Sequence, residues 1–457
     1  MQRFALLGVL SLCLLLNIPA DVGAVVSDEE FEAMRKRLGS VEKELSDIKR
    51  QEPNGSALPD GSALKGKKEG EQRLDFGTTG SGKLVYAKPF VSAPRAIIGG
   101  YMDFEMTFLS KRNLTRDRIT NFDQHRFIPF IYGDITDRIK VAAELEIEHG
   151  GPNNPKADGE IKVEFATIDY LVAEPVNLRA GLILVPVGKF NLLHDSPLND
   201  LTDRPLVSRL IIPTTWTEAG AGIYGTLYPG RTAKIDYELY AFNGFALRTA
   251  DTTFSVNDGL RNARGFHRND NNNNKGFVGR VAMSPFLGIE VGLSGAHAAY
   301  DPNNTRNLSL YAIDWTLQRG PFELIGEAAL ARISGNTVTG TIGPAGMRGY
   351  YIQGNYHFLP AVLQRLAPRH FTDASTFTAV VRWDDVDTDT DDRTLTSTGG
   401  NTRDLQRLTL GINYRPIEDT VIKFDYQFNS QLNTNLSPGN SARVDGNGFL
   451  VSVATYF

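Results

Sequence analysis

Residues 448 to 457 read Gly448-Phe449-Leu450-Val451-Ser452-Val453-Ala454-Thr455-Tyr456-Phe457. Side chains alternate along an extended strand, so Phe449, Val451, Val453, Thr455 and Phe457 share one face, and Leu450, Ser452, Ala454 and Tyr456 share the other. One face is apolar and ends in an aromatic ring. About ten residues, tilted as barrel strands are, cross a hydrocarbon core and leave that ring at the water boundary. An edge strand of a soluble sandwich carries the same pattern, so the fold depends on whether the rest of the chain supplies the other strands of a closed barrel.

Working backwards, the same two-residue rhythm recurs. Met102, Phe104, Met106 and Phe108 alternate with Asp103, Glu105 and Thr107. Val141, Ala143, Leu145 and Ile147 alternate with Lys140, Glu144, Glu146 and Glu148. Similar sets lie at 234–241, 350–358, 407–414 and 422–428, and weaker ones near 121–132, 160–172, 177–187, 219–229, 276–284, 287–299, 306–318, 321–333 and 375–386. The sum is an all-β, 16-stranded antiparallel transmembrane β-barrel over 97–457. Around Val163 to Leu171 the apolar phase slips, as a bulge would make it. Connections alternate in length: turns at 133–137, 173–176, 229–230, 285, 319–320 and 416–419, longer loops at 188–218, 244–275, 334–347, 387–403 and 432–445. Short turns on one rim and long loops on the other are the asymmetry of an outer-membrane barrel. The stretch 359–375 breaks the rule, being long where a turn is due. An even strand count places both barrel ends on the short-turn, periplasmic side.

The 457 residues carry a net charge of -5 and 44 glycines. The balance speaks against a nucleic-acid partner, and past the N-terminal leader no run reaches the eighteen apolar residues of a spanning helix. Residues 1–24 have the charged start, apolar core and small-residue ending of a signal peptide. They contain the single cysteine, Cys13, which leaves the mature chain without thiol, disulfide or Cys-based metal site; Leu12 is too large for a lipoprotein signal. Over 25–52, Phe31, Met34, Leu38, Val41, Leu45 and Ile48 form the 3-4 seam of an N-terminal periplasmic coiled-coil helix, with Ser27 and Glu30 as capping box. An amphipathic helix lying on the barrel or membrane is the alternative. Residues 53–96 read as flexible linker and barrel lead-in.

Sixteen strands enclose more space than side chains fill, so a water channel is expected. Phase turns Lys140, Glu144, Glu146, Lys234, Asp236, Glu238, Arg280, Glu323, Glu327, Arg382, Arg407 and Lys423 towards the lumen, with Glu105, Lys162, Glu164, Glu290 and Asp425. Acid and base on a channel wall set up a field that orients charged solutes. The connection 188–218 mixes Phe190, Leu192, Leu193, Leu206, Leu210, Ile211, Ile212 and Trp216 with Lys189, His194, Asp195, Asp200, Asp203, Arg204 and Arg209. A loop in open water does not need so many apolar residues. It is expected to fold inward as a pore constriction, with Lys189, Arg204 and Arg209 opposing Asp195, Asp200 and Asp203. The acidic run 384–392 lacks the glycine and glutamate of a calcium hand and reads as a solvated loop.

The run Leu178-Arg179-Ala180-Gly181-Leu182-Ile183-Leu184-Val185-Pro186-Val187-Gly188 resembles the Gly-x-x-x-x-Pro-x-Gly strand of the phosphate-selective porin O and P family. Tyr240-Ala241-Phe242-Asn243-Gly244, Gly349-Tyr350-Tyr351-Ile352-Gln353 and Leu410-Gly411-Ile412-Asn413-Tyr414-Arg415-Pro416 follow in similar order. The closing Phe457 is similar to the terminal aromatic of bacterial outer-membrane barrels. The resemblance covers 97–457 and implies a homotrimeric porin whose third extracellular loop enters the pore. Relatives named for phosphate line that pore with Arg and Lys, whereas this wall is rich in acids. The function expected is passive diffusion of small hydrophilic or ionic solutes, anions such as phosphate among them, across an outer membrane of lipid and lipopolysaccharide. A structural tether to the cell wall, or an outer-membrane enzyme, is the alternative. No nucleophile elbow is found, so no enzymatic activity, cofactor or metal is expected.

Overall fold

Alternation dictates the wall. Each strand shows lipid-compatible side chains on one face and polar ones on the other, and only closure lets every strand keep both faces satisfied. A computed structural model describes residues 96–110, 119–152, 159–245, 254, 258–265, 267–268, 270, 272–335, 337–338, 341–342, 344–391, 404–431 and 446–457. The signal peptide, the coiled-coil seam and the linker up to 95 lie outside these residues. Sixteen antiparallel strands close one barrel. The first eight are β1 (Ala96–Leu109), β2 (Ile119–Asp134), β3 (Ile139–Glu148), β4 (Glu160–Ala173), β5 (Val176–Leu184), β6 (Thr217–Leu227), β7 (Lys234–Phe242) and β8 (Gly276–Ser284). After them come β9 (Ile289–Ala299), β10 (Asn307–Arg319) and β11 (Phe322–Ile333). The wall finishes with β14 (Gly346–Phe358), β15 (Thr376–Asp387), β16 (Asp404–Ile417), β17 (Thr420–Gln431) and β18 (Gly448–Tyr456). Two-residue strands β12 (Thr337–Val338) and β13 (Thr341–Ile342) form a separate hairpin.

Each strand pairs with its sequence neighbour, and β18 returns to β1 with Tyr101 opposite Tyr456 and Phe104 opposite Val453. Beyond the last strand Phe457 still exchanges two backbone hydrogen bonds with Gly100, at 3.1 and 2.9 Å. Its ring stacks on Phe127 at 5.7 Å. The exterior is apolar: Phe104, Leu239, Phe277, Leu293, Ile352, Val381, Leu410, Phe424 and Phe449 are exposed. Aromatics gather where an interface belt belongs. At the short-turn rim Phe377 stacks on Tyr414 at 4.7 Å, and Phe322 meets Tyr356 at 5.0 Å. The long connection 359–375 holds a helix, Ala361–Leu366, that exposes Val362 and Leu366, while Phe371 packs on Tyr414 at 5.4 Å. Its length thus adds to the aromatic rim.

The phase slip in β4 is a bulge. Glu144 pairs with Phe165 and Leu145 with Val163, leaving Glu164 without an opposite residue. Both Glu164 and Phe165 consequently turn inward and are fully buried.

Candidate functional site

The third long connection, residues 185–216, runs inside the barrel. Its entry is fixed by Gly188, whose φ of +70° suits glycine; a side chain there would meet the carboxylate of Glu327 and Ile212. The Gly188 N–H donates to Ser294 Oγ at 2.9 Å. Asn191, wholly buried, ties the two ends of the segment together. Its side-chain amide donates to the carbonyls of Val185 (2.8 Å) and Trp216 (3.1 Å), and its Oδ1 accepts from the Trp216 N–H at 2.9 Å.

From that neck the segment makes two kinds of contact. Leu206, Val207, Leu210, Ile211, Ile212 and Trp216 form one buried cluster with Tyr240, Phe242, Val278, Ala296, Leu308, Leu310, Ala329, Ala331 and Met347 of the wall. The Trp216 ring stacks on Phe245 at 5.1 Å and stands edge-on to Phe242 at 5.8 Å. Each large apolar side chain so buried contributes about 1.5–3 kcal/mol. Along β7 the inward residues run Asp236, Glu238, Tyr240, Phe242, and along β10 from the other end Leu308, Leu310, Ala312, Asp314. The wall is therefore charged towards the short-turn rim and apolar towards the long-loop rim on this side.

Across the lumen the contacts are polar. Asp200 accepts from Asn413 Nδ2 (3.1 Å) and Asn355 Nδ2 (2.8 Å) and pairs with Arg415 at 3.3 Å. Asp203 pairs with Arg407 at 3.0 Å and accepts from Gln427 at 2.7 Å, and its backbone carbonyl accepts from Arg382 at 2.9 Å. The Lys423 ammonium donates to the Ser196 carbonyl at 2.8 Å, the Leu206 N–H to Asp384 Oδ1 at 2.9 Å, and the Tyr456 hydroxyl to Asp195 Oδ2 at 2.8 Å. Burial alone would raise the Asp203 carboxyl; the Arg407 guanidinium, and then the Gln427 amide, hold it below the usual carboxylate range.

The three basic residues of the segment differ in their surroundings. Lys189 pairs with Glu290 at 3.2 Å and donates to Thr316 at 2.6 Å. Arg209 is exposed. Arg204 is half-buried, with only a 3.4 Å contact from Nη1 to Thr215 Oγ1, while its Nε and Nη2 donate to no partner atom. Burial first, and Arg126 next, hold its guanidinium below the usual arginine value. His194 is buried, its Nε2 against Glu164. Of the wall positions, Glu144, Glu146, Asp236, Glu238, Arg280, Glu327, Arg382, Arg407 and Lys423 are buried inside the barrel. Lys140, Lys234 and Glu323 are partly buried. Opposite charges pair along the wall: Arg126 Nε with Glu146 (3.2 Å), Lys162 with Glu146 (2.6 Å), Lys234 with Asp236 (2.9 Å), and Arg280 with Asp314. The neck residue Asn191, the wall amides Asn355, Asn413 and Gln427, and the inward apolar set Tyr240, Phe242, Leu308 and Leu310 escape a sequence search for charged alternation. Continuing the inward phase past the last charge of each strand would have found the apolar set.

No family model matches the sequence. A protein of Aquifex aeolicus (strain VF5), described as uncharacterized, is 28% identical over 350 residues, which span 72% of this chain and 74% of that one. Among solved structures, OmpF of Salmonella typhi in complex with daunomycin is similar at 14% identity and a TM-score of 0.50, over 79% of this chain and 97% of that one. The outer membrane channel DcaP of Acinetobacter baumannii gives 10% and 0.49, over 79% and 97%. The anion-selective porin from Comamonas acidovorans gives 12% and 0.49, over 79% and 99%. The likeness to OmpF is one of fold: a single closed barrel of antiparallel strands.

Proposed function

We propose that the protein is an outer-membrane porin through which small hydrophilic solutes diffuse passively, narrowed by its own segment 185–216. One observation carries this: inside a wall whose outer face is apolar, charged side chains keep contact with solvent. Asp203 is 32% exposed, Lys162 27%, Lys189 22% and Glu323 21%. A barrel dry inside would have no use for solvated charge there, and a barrel in water would have none for an apolar exterior. Asp203, paired with Arg407, and Arg204 on the inward segment are the groups a passing ion would meet. The many acids elsewhere on the wall argue against phosphate selectivity. The first strand begins on the short-connection rim, in keeping with an N-terminal periplasmic segment and a cleaved leader, and the resemblance over 97–457 supports a homotrimer. Single-channel recording of the purified, folded protein in planar bilayers tests the reading. Ohmic current steps are expected; a folded, inserted barrel that passes no ions defeats it. Deleting 25–80 leaves that conductance in place if the barrel alone is the channel.

A further inference from the structure

We propose that Glu144, Glu164 and His194 bind a divalent first-row transition-metal ion inside the barrel, clamping the inward segment to β3 and β4. Their ligand atoms all lie within 4.8 Å of one another, and the residues are 3%, 0% and 2% exposed. His194 is held for the task. Its Nδ1 lies 3.1 Å from the Asn191 carbonyl oxygen; a carbonyl can only accept, so Nδ1 carries a proton, and Nε2, against Glu164, is left to hold either a second proton or a metal ion. Apart from the close approach of His194 Nε2 to Glu164 Oε1, Glu144 Oε1 and both oxygens of Glu164 are buried without a hydrogen-bond partner. Of the nearby cations, Arg126 is engaged with Glu146 and Glu148 and Lys162 with Glu146 and Glu160, while Arg204 lies within electrostatic reach of Glu164 but places its hydrogen bond on Thr215. Two carboxylates in a desolvated site carry a large cost unless protons or a cation offset their charge.

The bulge in β4 is a second, independent pointer. An unbroken strand would turn Glu164 in and Phe165 out. The extra residue turns both in, setting the Phe165 ring beside Ala142, Leu184 and Leu192 as an apolar shell. Bulges are kept where a side chain has to be re-aimed. One nitrogen and carboxylate oxygens suit zinc, manganese or iron(II), at bond lengths of about 2.0–2.2 Å; the ion would part Glu164 Oε1 from His194 Nε2 to the spacing of a coordination polyhedron. The neighbouring group Asp103, Glu105 and His125 is less buried and better hydrogen-bonded. There His125 Nδ1 already pairs with Glu105 at 2.8 Å and Asp103 at 3.2 Å, and the Ser196 hydroxyl donates to Asp103.

The site stands whether or not the barrel conducts, so its test does not use current. The full chain, folded in detergent and stripped with a chelator, is titrated with Zn²⁺ and with Mn²⁺ by calorimetry, and the zinc form is examined by X-ray absorption. About one ion per chain is expected, with a first shell of one imidazole nitrogen and oxygens at about 2.0–2.2 Å. His194→Ala and Glu164→Gln each weaken binding by roughly tenfold or more, and Asp103→Asn leaves it unchanged. No ion retained by a folded barrel would show that the three groups share protons instead and would overturn the proposal. So would a shell with two or more imidazoles, a readout that needs no variant to fold.

Discussion

The two sides of the lumen obey the same two-residue alternation and use it differently. On β7 to β11 the inward face turns apolar towards the long-loop rim, and the segment 206–216 covers it. On β14 to β18 it carries polar groups along most of its length, with Arg382, Arg407, Asn413, Lys423 and Gln427 each reaching backbone or carboxylate oxygens of 196–203. The apolar side supplies adhesion, which is non-directional and scales with buried area. The polar side supplies register, because a hydrogen bond or ion pair is lost within an ångström of displacement. A segment held by the first alone would slide; one held by the second alone would exchange its partners for water.

Breaking the apolar side should have the largest effect. Trp216→Ala removes a fully buried ring at a cost of about 3–5 kcal/mol, and the inward segment should detach while the barrel persists. Limited proteolysis should then cut within 189–216, with heat-resistant gel migration retained; a segment as protected as the parent's would refute the division of labour. Asn191→Ala should come next. It strips the neck of three hydrogen bonds and leaves the buried Trp216 N–H without its partner, at about 1–3 kcal/mol. Hydrogen exchange should rise at Val185 and Trp216 and stay unchanged in β15 to β17.

The polar side is sharpened by acid. Because the Asp203 carboxyl is held low in the folded chain, its contribution is present above the ordinary carboxylate value of about 3.9 and is lost as pH falls through the lower folded value. Docking of 200–204 should therefore stay constant from pH 7 to about 4 and loosen only below. Loosening already at pH 5 to 6 would contradict the Arg407 pairing. The smallest structural effect belongs to Arg204→Gln, since that guanidinium holds little in place. Stability should not move, whereas the reversal potential in a salt gradient should shift towards cations; an unchanged reversal potential removes Arg204 from the path of ions.

Strand positions and the facing of their side chains were legible because each strand carries its own alternation. Met102 to Phe108 can be sorted into outward and inward residues without knowing any neighbour. The β4 bulge was legible for the same reason, as a local break in phase at Val163 to Leu171. What the inward segment touches was not. Its apolar content shows that it avoids open water, but Trp216 meets Phe242 and Asp203 meets Arg407 only because closure brings those strands opposite one another. Glu144, Glu164 and His194 fail a motif search on the same ground: two neighbouring strands and a loop supply one ligand each, at spacings that follow from register and a bulge.

The seam between β1 and β18 sets a timetable. Tyr101 finds its partner Tyr456 only when the last strand exists, so a growing chain exposes two unsatisfied sheet edges through nearly all of its synthesis. Such edges recruit other strands, and contacts so distant in sequence form slowly. Losing the final strand would therefore be expected to yield aggregate rather than a smaller barrel.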